Sequence, residues 1–382
     1  MHDEGSDVKI FVPKEVVPGE RRVAMVPSVV RKFSQNGFEV VVEAGAGANA
    51  YFPDSEYVEA GASIASDFAA GASGAHVVAS VRPLGDRAAR IGAGSVAISF
   101  LSPAQDTQTV AGVAQAGASL LSFDLVPRIS RAQSMDALTS QALVTGYRAS
   151  LVAAELLPSF FPLFMTAAGT IQPAKVLVLG AGVAGLQAIA TAKRLGAKVS
   201  AYDVRPASAD EVKSMGATFI TLDLDALEGS GGYAREMSED RAKRQRELLT
   251  PYITSSDVVI TTAAVPGRTA PLLVTKEMVQ TMHPGSVVVD LAAESGGNVE
   301  GSQPGEIVSM GEIRIWGAKD AASSMPVHAS QLYAMNVLAL SALLISESTI
   351  TVNLEDEILD GCAVVVNGEV RNQVAREALG AN

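Results

Sequence analysis

Cysteine occurs once in the 382 residues, at Cys362, tryptophan once and histidine four times. A single thiol excludes a disulfide framework and a cysteine-based zinc site. Basic residues are in deficit, 29 Lys and Arg against 41 Asp and Glu, leaving a formal charge of −12. A nucleic-acid binder would carry a basic face or tail, so that class is excluded. Charged residues make up only 18% and hydrophobic residues 48%, which excludes disorder and predicts a large core. The length suits two domains better than one. Met1 to Asp7 is acidic and has no apolar run, so it is not a secretory signal.

Long uninterrupted apolar stretches are also missing, although mean hydropathy is positive at +0.25. Ser150 to Gly169 is broken by Glu155, Pro158 and Pro162. Asn336 to Ile345 is about half of the ~20 residues that a span needs. The chain by itself is therefore expected to be soluble and cytoplasmic. Its surplus of Ala, Val and Gly points to buried parallel sheet with close helix packing.

What is present is a repeated alternation of strand and helix patterns, the mark of a parallel α/β sheet. Strands are expected at Val8–Val12, Glu39–Glu43, Ala75–Val81, Ser95–Phe100 and Ser119–Phe123, with a helix over Val29–Asn36. A second α/β run starts at Lys175, with strands at Lys198–Tyr202, Asp257–Thr261, Ser286–Leu291 and Ile313–Gly317. Glu236–Leu249 reads as a charged helix with Glu239/Lys243 and Asp240/Arg244 at i, i+4 spacing, behind a movable Gly229-Ser-Gly-Gly loop. Ala137–Phe164 reads as mostly helical and joins the two sheets; Ala329–Ser346 is a further apolar helix. Cys362–Val370 is expected to be a hairpin around Asn367-Gly368. The fold class is thus α/β, two Rossmann-like parallel-sheet domains joined by helices with a cleft between them. Residues 1–137 with 330–382 form one domain, and 138–329 form the nucleotide-binding one.

Gly180-Ala181-Gly182-Val183-Ala-Gly185 follows a strand and opens a helix. Gly180 serves the tight turn, Gly182 lets backbone approach a pyrophosphate, and Gly185 lets helix and strand pack closely. Free N–H groups at the helix N-terminus and the helix dipole favour the phosphates there. The next strand ends at Asp203, eighteen residues beyond Gly185, where a carboxylate accepts from the ribose 2′-OH of NAD and repels the 2′-phosphate of NADP. Arg205, two residues on, points weakly the other way; the expectation is NAD(H).

An alcohol or amine dehydrogenase also needs a group to take a proton. His2, His76, His283 and His328 lie far apart in the sequence, without metal-ligand spacing, and no nucleophile signature is present. One polar segment stands out, Arg128-Ile129-Ser130-Arg131-Ala-Gln133-Ser134-Met135-Asp136. Arg, Gln and Asp can fix a carboxamide, a ribose and an arginine by hydrogen bonds, but none is a good base at pH 7. The same pattern also suits a helix N-terminal loop with a solvated charge cluster.

That segment, the run from Gly180 to Gly196 and Gly231-Gly232-Tyr233-Ala-Arg-Glu-Met237 closely resemble one family. It comprises the NAD(H)-binding components (domain I, alpha-1 subunits) of proton-translocating NAD(P) transhydrogenases. Pro13-Lys-Glu and Gly19-Glu-Arg-Arg22-Val-Ala match its opening, which alanine dehydrogenases share. The resemblance covers residues from about 8 to 346. Where the family often has valine between the first two glycines, this chain has Ala181.

The resemblance implies hydride exchange between NAD(H) here and NADP(H) on a partner, C4 to C4, with no proton to remove. It implies Arg128 on the nicotinamide carboxamide with Ile129 and Ser130 beside it, Gln133 on a nicotinamide-side ribose, and Asp136 orienting Arg128; Arg128, Gln133 and Asp136 form the catalytic set. Ser134 and Met135 follow. Gly180, Ala181, Gly182, Val183 and Gly185 line the pyrophosphate turn, and Asp203, Val204 and Arg205 the adenosine ribose. Gly232 and Tyr233 fall on a loop that closes over nucleotide; Gln245 and Ala264 make further contacts. Without the resemblance, Gln245 reads as a solvated helix residue. The implied partners are an NADP-binding domain, a membrane-spanning proton-channel subunit and a second copy of this chain, with peripheral attachment to the inner face of the cell membrane. No metal is expected. The alternative is an alanine dehydrogenase-like enzyme. In that family a Lys and a His are catalytic, and their positions here hold Val81 and Phe100, while the late catalytic Asp falls at Glu294.

Overall fold

The computed structural model describes residues 8–224, 239–264, 269–346 and 349–380. It divides into two compact units, residues 1–141 with 325–382, and 142–324.

The first unit is built on an eight-stranded sheet. From one edge it runs Glu369–Val370, Ala363–Val366, Ser119–Ser122, Val96–Ser99, Val77–Ala79, Lys9–Val12, Glu39–Glu43 and Ser63–Ala65. The six strands from Ser119–Ser122 onward are mutually parallel; Ala363–Val366 alone runs against them, antiparallel both to Ser119–Ser122 and to its hairpin partner Glu369–Val370. Alternation along each strand sends residues to two cores. Ile10, Val12, Val40, Val42, Ile98 and Leu121 face one; Phe11, Val41, Val78, Ala97 and Leu120 face the other. The hairpin turns at Asn367 (φ +48°) and Gly368 (φ +85°), both left-handed, as a type I′ turn demands.

The helix Pro326–Leu344 starts three residues earlier than the apolar pattern indicated, with Pro326 at its first turn, and ends at a short strand, Ile345–Ser346. At nineteen residues it is the one helix among the described residues long and apolar enough to cross a membrane. Half of its apolar window is buried, and Tyr333, wholly buried, donates to the Ser80 carbonyl at 2.7 Å. These contacts make it a core helix of the first unit.

The second unit carries seven strands in the order Thr218–Phe219, Lys198–Tyr202, Lys175–Leu179, Val258–Thr261, Val287–Asp290, Ile313–Gly317, Ile307–Met310. All are parallel but the last. The order reverses between Lys175–Leu179 and Val258–Thr261, and in open α/β sheets ligands bind beyond the strand ends at such a switch. Val176, Val178 and Val199 face one core, Leu177, Leu179 and Val259 the other. The charged helix is found at Glu239–Thr254, where Arg244 pairs with Glu247 one turn on. The loop expected at Gly229–Gly232 lies outside the described residues.

The joining segment is helical only over Ala137–Leu156. Pro158 and Pro162 follow, and the chain then makes a small antiparallel hairpin, Phe164–Thr166 with Gly169–Ile171, where a continued helix was expected.

Candidate functional site

Three glycines shape the turn after Lys175–Leu179, each differently. Gly180 has φ +103°, and a Cβ there would sit 2.5 Å from Thr262 Oγ1. A Cβ on Gly185 would lie 1.9 Å from the Gly180 carbonyl oxygen. A Cβ on Gly182 would meet nothing within 4 Å. Gly180 and Gly185 are therefore glycine because the fold requires it. Gly182 is glycine where the fold leaves open space, so its small size serves whatever approaches the turn. The helix Val183–Arg194 starts here without a side-chain cap, its first N–H groups left for a ligand or water. Val183 is exposed and Ala181 buried. This arrangement fits a pyrophosphate.

Asp203 stands just past the strand Lys198–Tyr202 and is already engaged. Its Oδ1 accepts from Arg205 N–H (2.9 Å) and Nε (3.0 Å), its Oδ2 from Ala181 N–H (2.7 Å) and Arg205 Nη2 (3.1 Å). Four donors use the lone-pair directions of the carboxylate. Reading a ribose at this residue requires Arg205, itself partly exposed, to give up at least one bond. Val204 beside them is half-buried.

Gln245 is buried rather than solvated, and its Nε2 donates to the Tyr202 hydroxyl at 3.2 Å. The charged neighbours that made this helix read as a surface helix occupy its other faces. Ala264 is exposed, three residues past Val258–Thr261, and in the same stretch Thr262 Oγ1 donates to the Gly180 carbonyl at 3.0 Å. The structure thus brings Gly180–Gly185, Asp203, Arg205 and the start of the 262–264 loop to one end of the second sheet. Gly232 and Tyr233 lie outside the described residues.

The polar segment belongs to the first unit. Ser130–Met135 is a 3-10 helix, and its three-residue period puts Ile129, Ala132 and Met135 inward. Arg128, Ser130, Arg131, Gln133 and Ser134 face outward. The segment is held from both sides: Asn336 Nδ2 donates to the Ser134 carbonyl (2.8 Å), and Arg131 makes a bidentate pair with Asp356 (2.7 and 2.9 Å). Asp136 accepts from Thr139 N–H (2.8 Å) and Oγ1 (2.7 Å), capping the helix Ala137–Leu156. A helix N-terminal loop and an outward row of polar side chains therefore coexist in this segment.

Val81 and Phe100, the positions that the resemblance sets against an alanine dehydrogenase's lysine and histidine, lie in the packed interior of the first unit. Val81 is wholly buried, and Phe100 packs on Tyr333 and Phe123 with ring centroids 5.3 and 6.1 Å apart. Glu20 accepts from Arg22 Nη2 (2.6 Å) and Nε (2.8 Å) and from Arg82 Nε (2.8 Å), and Arg22 Nη1 donates to Gln141 Oε1 (2.9 Å). Burial resists ionisation of Glu20, but these hydrogen bonds and charges hold its carboxyl down at about 2. Burial pushes Glu15, which accepts from Val81 N–H (2.6 Å) and Arg82 N–H (3.2 Å), up to about 7. Glu294, in the second unit, accepts from the Asp320 N–H at 3.0 Å, a backbone-holding role.

Thr262, Tyr202 and the buried pair Asp290 and Asn298 were not among the residues expected at the site. The one signal for Asp290 is a carboxylate ending an otherwise apolar Val287-Val288-Val289 run.

Two sheets of this order, one carrying a glycine turn at its switch point, define a Rossmann-like α/β protein of two units. The chain belongs to the alanine dehydrogenase/PNT family: residues 11–145 match its N-terminal domain and residues 149–373 its C-terminal domain. It is 46% identical over 374 residues to the first part of the NAD(P) transhydrogenase subunit alpha of Rhodospirillum rubrum, covering 95% of this chain and 97% of that one. It is 31% identical over 301 residues to the alanine dehydrogenase of Halomonas elongata, covering 78% and 76%. The crystal structure of transhydrogenase from Sinorhizobium meliloti matches with a TM-score of 0.83 at 42% identity, covering 96% of this chain and 99% of that one.

Proposed function

We propose that this chain is the NAD(H)-binding subunit of a proton-translocating NAD(P) transhydrogenase, passing hydride between NADH and NADP⁺ held on a partner subunit. The observation that carries this reading is a contrast within the chain. Gly182 keeps a turn open that suits a dinucleotide, while apolar Val81 and Phe100 stand where the resemblance puts the proton-handling pair of an alanine dehydrogenase. Bound NADH supplies a hydride at C4 of its dihydronicotinamide, and transfer to another nicotinamide carbon needs no general base.

The chain's own residues then have to bind, orient and keep water out. The helix Val183–Arg194 and the N–H groups of its first turn hold the pyrophosphate, with Gly182 admitting it. Asp203, with Val204 and Arg205, takes the adenosine ribose and selects NAD(H) over NADP(H). Gln245 and Ala264 complete that end. Arg128, flanked by Ile129 and Ser130, orients the carboxamide, Gln133 a ribose, and Asp136 orients Arg128, with Ser134 and Met135 beside it. Gly232 and Tyr233, outside the described residues, are assigned to the nucleotide on the resemblance alone. The domain division of the proposal is 1–137 with 330–382 and 138–329.

Further partners are an NADP-binding domain, a membrane-spanning proton-channel subunit and a second copy of the chain, with the protein held at the inner face of the membrane through them. Support for the second copy comes from Phe160 and Leu163, just before the hairpin Phe164–Ile171, and Phe164, Met165 and Ile171 within it, all of them exposed. Sedimentation of the purified chain should show a dimer that Met165→Asp dissociates.

The test of the main reading is a single assay. The purified chain, an NADP-binding partner, NADH and a spectrally distinct NADP⁺ analogue are mixed, and reduction of the analogue is followed. Transfer is expected, and a parallel mixture of pyruvate, ammonia and NADH should stay unreacted. NADH binding without transfer would leave a nucleotide sensor; oxidation of NADH by pyruvate and ammonia would leave an amino-acid dehydrogenase.

A further inference from the structure

Asp290 ends the strand Val287–Asp290, next to Val258–Thr261, and is wholly buried. Its carboxylate is enclosed by donors. Oδ1 accepts from Thr261 Oγ1 (3.1 Å) and Ala292 N–H (3.0 Å), and Oδ2 from Ser302 Oγ (2.6 Å) and Val299 N–H (3.2 Å). The Asn298 N–H lies 3.2 and 3.1 Å from the two oxygens. A Cβ on Gly297, whose φ is +81°, would come within 2.9 Å of Oδ2, so the loop backbone is pressed onto the carboxylate. A wholly buried carboxyl enclosed by backbone and hydroxyl donors holds those groups in place, because a donor that moved away would leave a buried acceptor unsatisfied.

The loop fixed in this way carries Asn298, also wholly buried. Its Oδ1 accepts from Ala263 N–H at 3.0 Å, and its Nδ2 donates to the carbonyls of Ala263 (2.8 Å) and Pro271 (2.7 Å). One donor and two acceptors around the amide leave no ambiguity about which end is oxygen. A single side chain therefore satisfies both backbone groups of Ala263, as a neighbouring strand would. Ala263 follows Thr262, whose hydroxyl holds the Gly180 carbonyl, and precedes the exposed Ala264. A continuous chain of bonds runs from Asp290 through Asn298, Ala263 and Thr262 to the first glycine of the turn.

We propose that Asp290 and Asn298 are positioning residues for dinucleotide recognition. Neither has accessible surface to touch a ligand; together they set residues 262–264 against the glycine turn before the nucleotide arrives. This rests on the reading that the glycine turn binds NAD(H). A loop that had to order during binding would subtract its lost conformational entropy from the affinity. The pre-built loop avoids that loss.

The informative change is Asn298→Asp, which keeps the shape and the acceptor for Ala263 N–H but removes both donors and sets a charge against two carbonyls. NADH binding is measured by fluorescence titration at pH 6 and pH 8. The emission of the lone tryptophan, Trp316, whose strand pairs with Val289 beside Asp290, reports whether the sheet is intact. The expected result is native emission with Kd raised about tenfold at pH 8 and recovering toward wild type at pH 6, where a protonated carboxyl can again donate. A Kd within twofold of wild type at both pH values, with native emission, overturns the proposal. If wild type itself fails to bind NADH, the reading of the glycine turn falls, and the proposal with it.

Should Asn298→Asp fail to fold, Thr262→Val decides. It preserves shape and cuts only the tie to the Gly180 carbonyl. An affinity about threefold or more weaker supports the proposal, and an unchanged one overturns it.

Discussion

Arg22 closes on Glu20, with Nη2 at 2.6 Å and Nε at 2.8 Å from its two oxygens, and spends Nη1 on Gln141. Three of the five guanidinium N–H donors are thus committed inside the protein, to a buried carboxylate and a buried amide. Arg22→Ala should therefore act on stability: it leaves Glu20 buried with Arg82 as its remaining charge partner, at a cost of about 3 kcal/mol. Urea unfolding measures this. A substrate-binding arginine would instead lose turnover with an unchanged midpoint.

The glycine turn offers a matched pair of substitutions with opposite signatures. Gly182→Ala adds a methyl to open space, so the melting temperature should stay put while the NADH Kd rises about tenfold or more. Gly185→Ala drives a methyl to 1.9 Å from the Gly180 oxygen, and should destabilise by about 1–3 kcal/mol. Calorimetry beside an NADH titration separates the two.

Acid and base act on the first unit through Glu15. Its folded carboxyl is pushed up to about 7 by burial, against an ordinary value of 4.5. The folded state therefore holds a proton that the unfolded state releases, and stability is greatest below the unfolded value. It falls as pH rises from about 4.5 to 7, by about 3 kcal/mol for this group alone. Burial also pushes Asp124 up, to about 6, in the same direction. Glu20 has the opposite sign: its stabilisation is present above 4.5 and lost as pH falls toward 2. Denaturation midpoints taken from pH 5 to 8 should decline, and Glu15→Gln should flatten the decline.

Gln133 is exposed on a 3-10 turn held by Asn336 and Asp356, so shortening it leaves the core untouched. Gln133→Asn should slow hydride transfer about tenfold while changing the NADH Kd about twofold, because transfer depends on ring placement more steeply than binding does. Stopped-flow transfer with equilibrium titration gives both numbers; equal losses would make Gln133 only a binding residue.

Much of this was legible in the residues. Runs such as Lys175-Val-Leu-Val-Leu can only be buried strand, and Asn367-Gly368 could be read as a hairpin turn because few residue pairs tolerate two left-handed positions. Ile307–Met310 was not foreseen: it is a half-exposed edge strand, and its pattern is not apolar enough to stand out. The hairpin at Phe164–Ile171 was hidden by apolar composition, since exposed aromatics imitate a helix core until something shows them uncovered. Gln245 reads as solvated from its helix alone because composition averages over a helix while burial acts on one face. The roles of Asp290 and Asn298 were hidden for a different reason, since their partners come from groups as far as 35 residues away, which no spacing rule reaches.

The antiparallel strand Ala363–Val366 has a consequence for how the protein is made. It covers Ser119–Ser122, its partner at Leu120 and Leu121, yet the ribosome delivers it only after the whole second unit has emerged. At translation rates of about 5–20 residues per second, the bare edge of the first sheet waits on the order of ten seconds or more for its cover. The nascent first unit should thus be the chaperone-dependent part of synthesis, and the second unit, contiguous in sequence, the part able to finish folding on its own schedule.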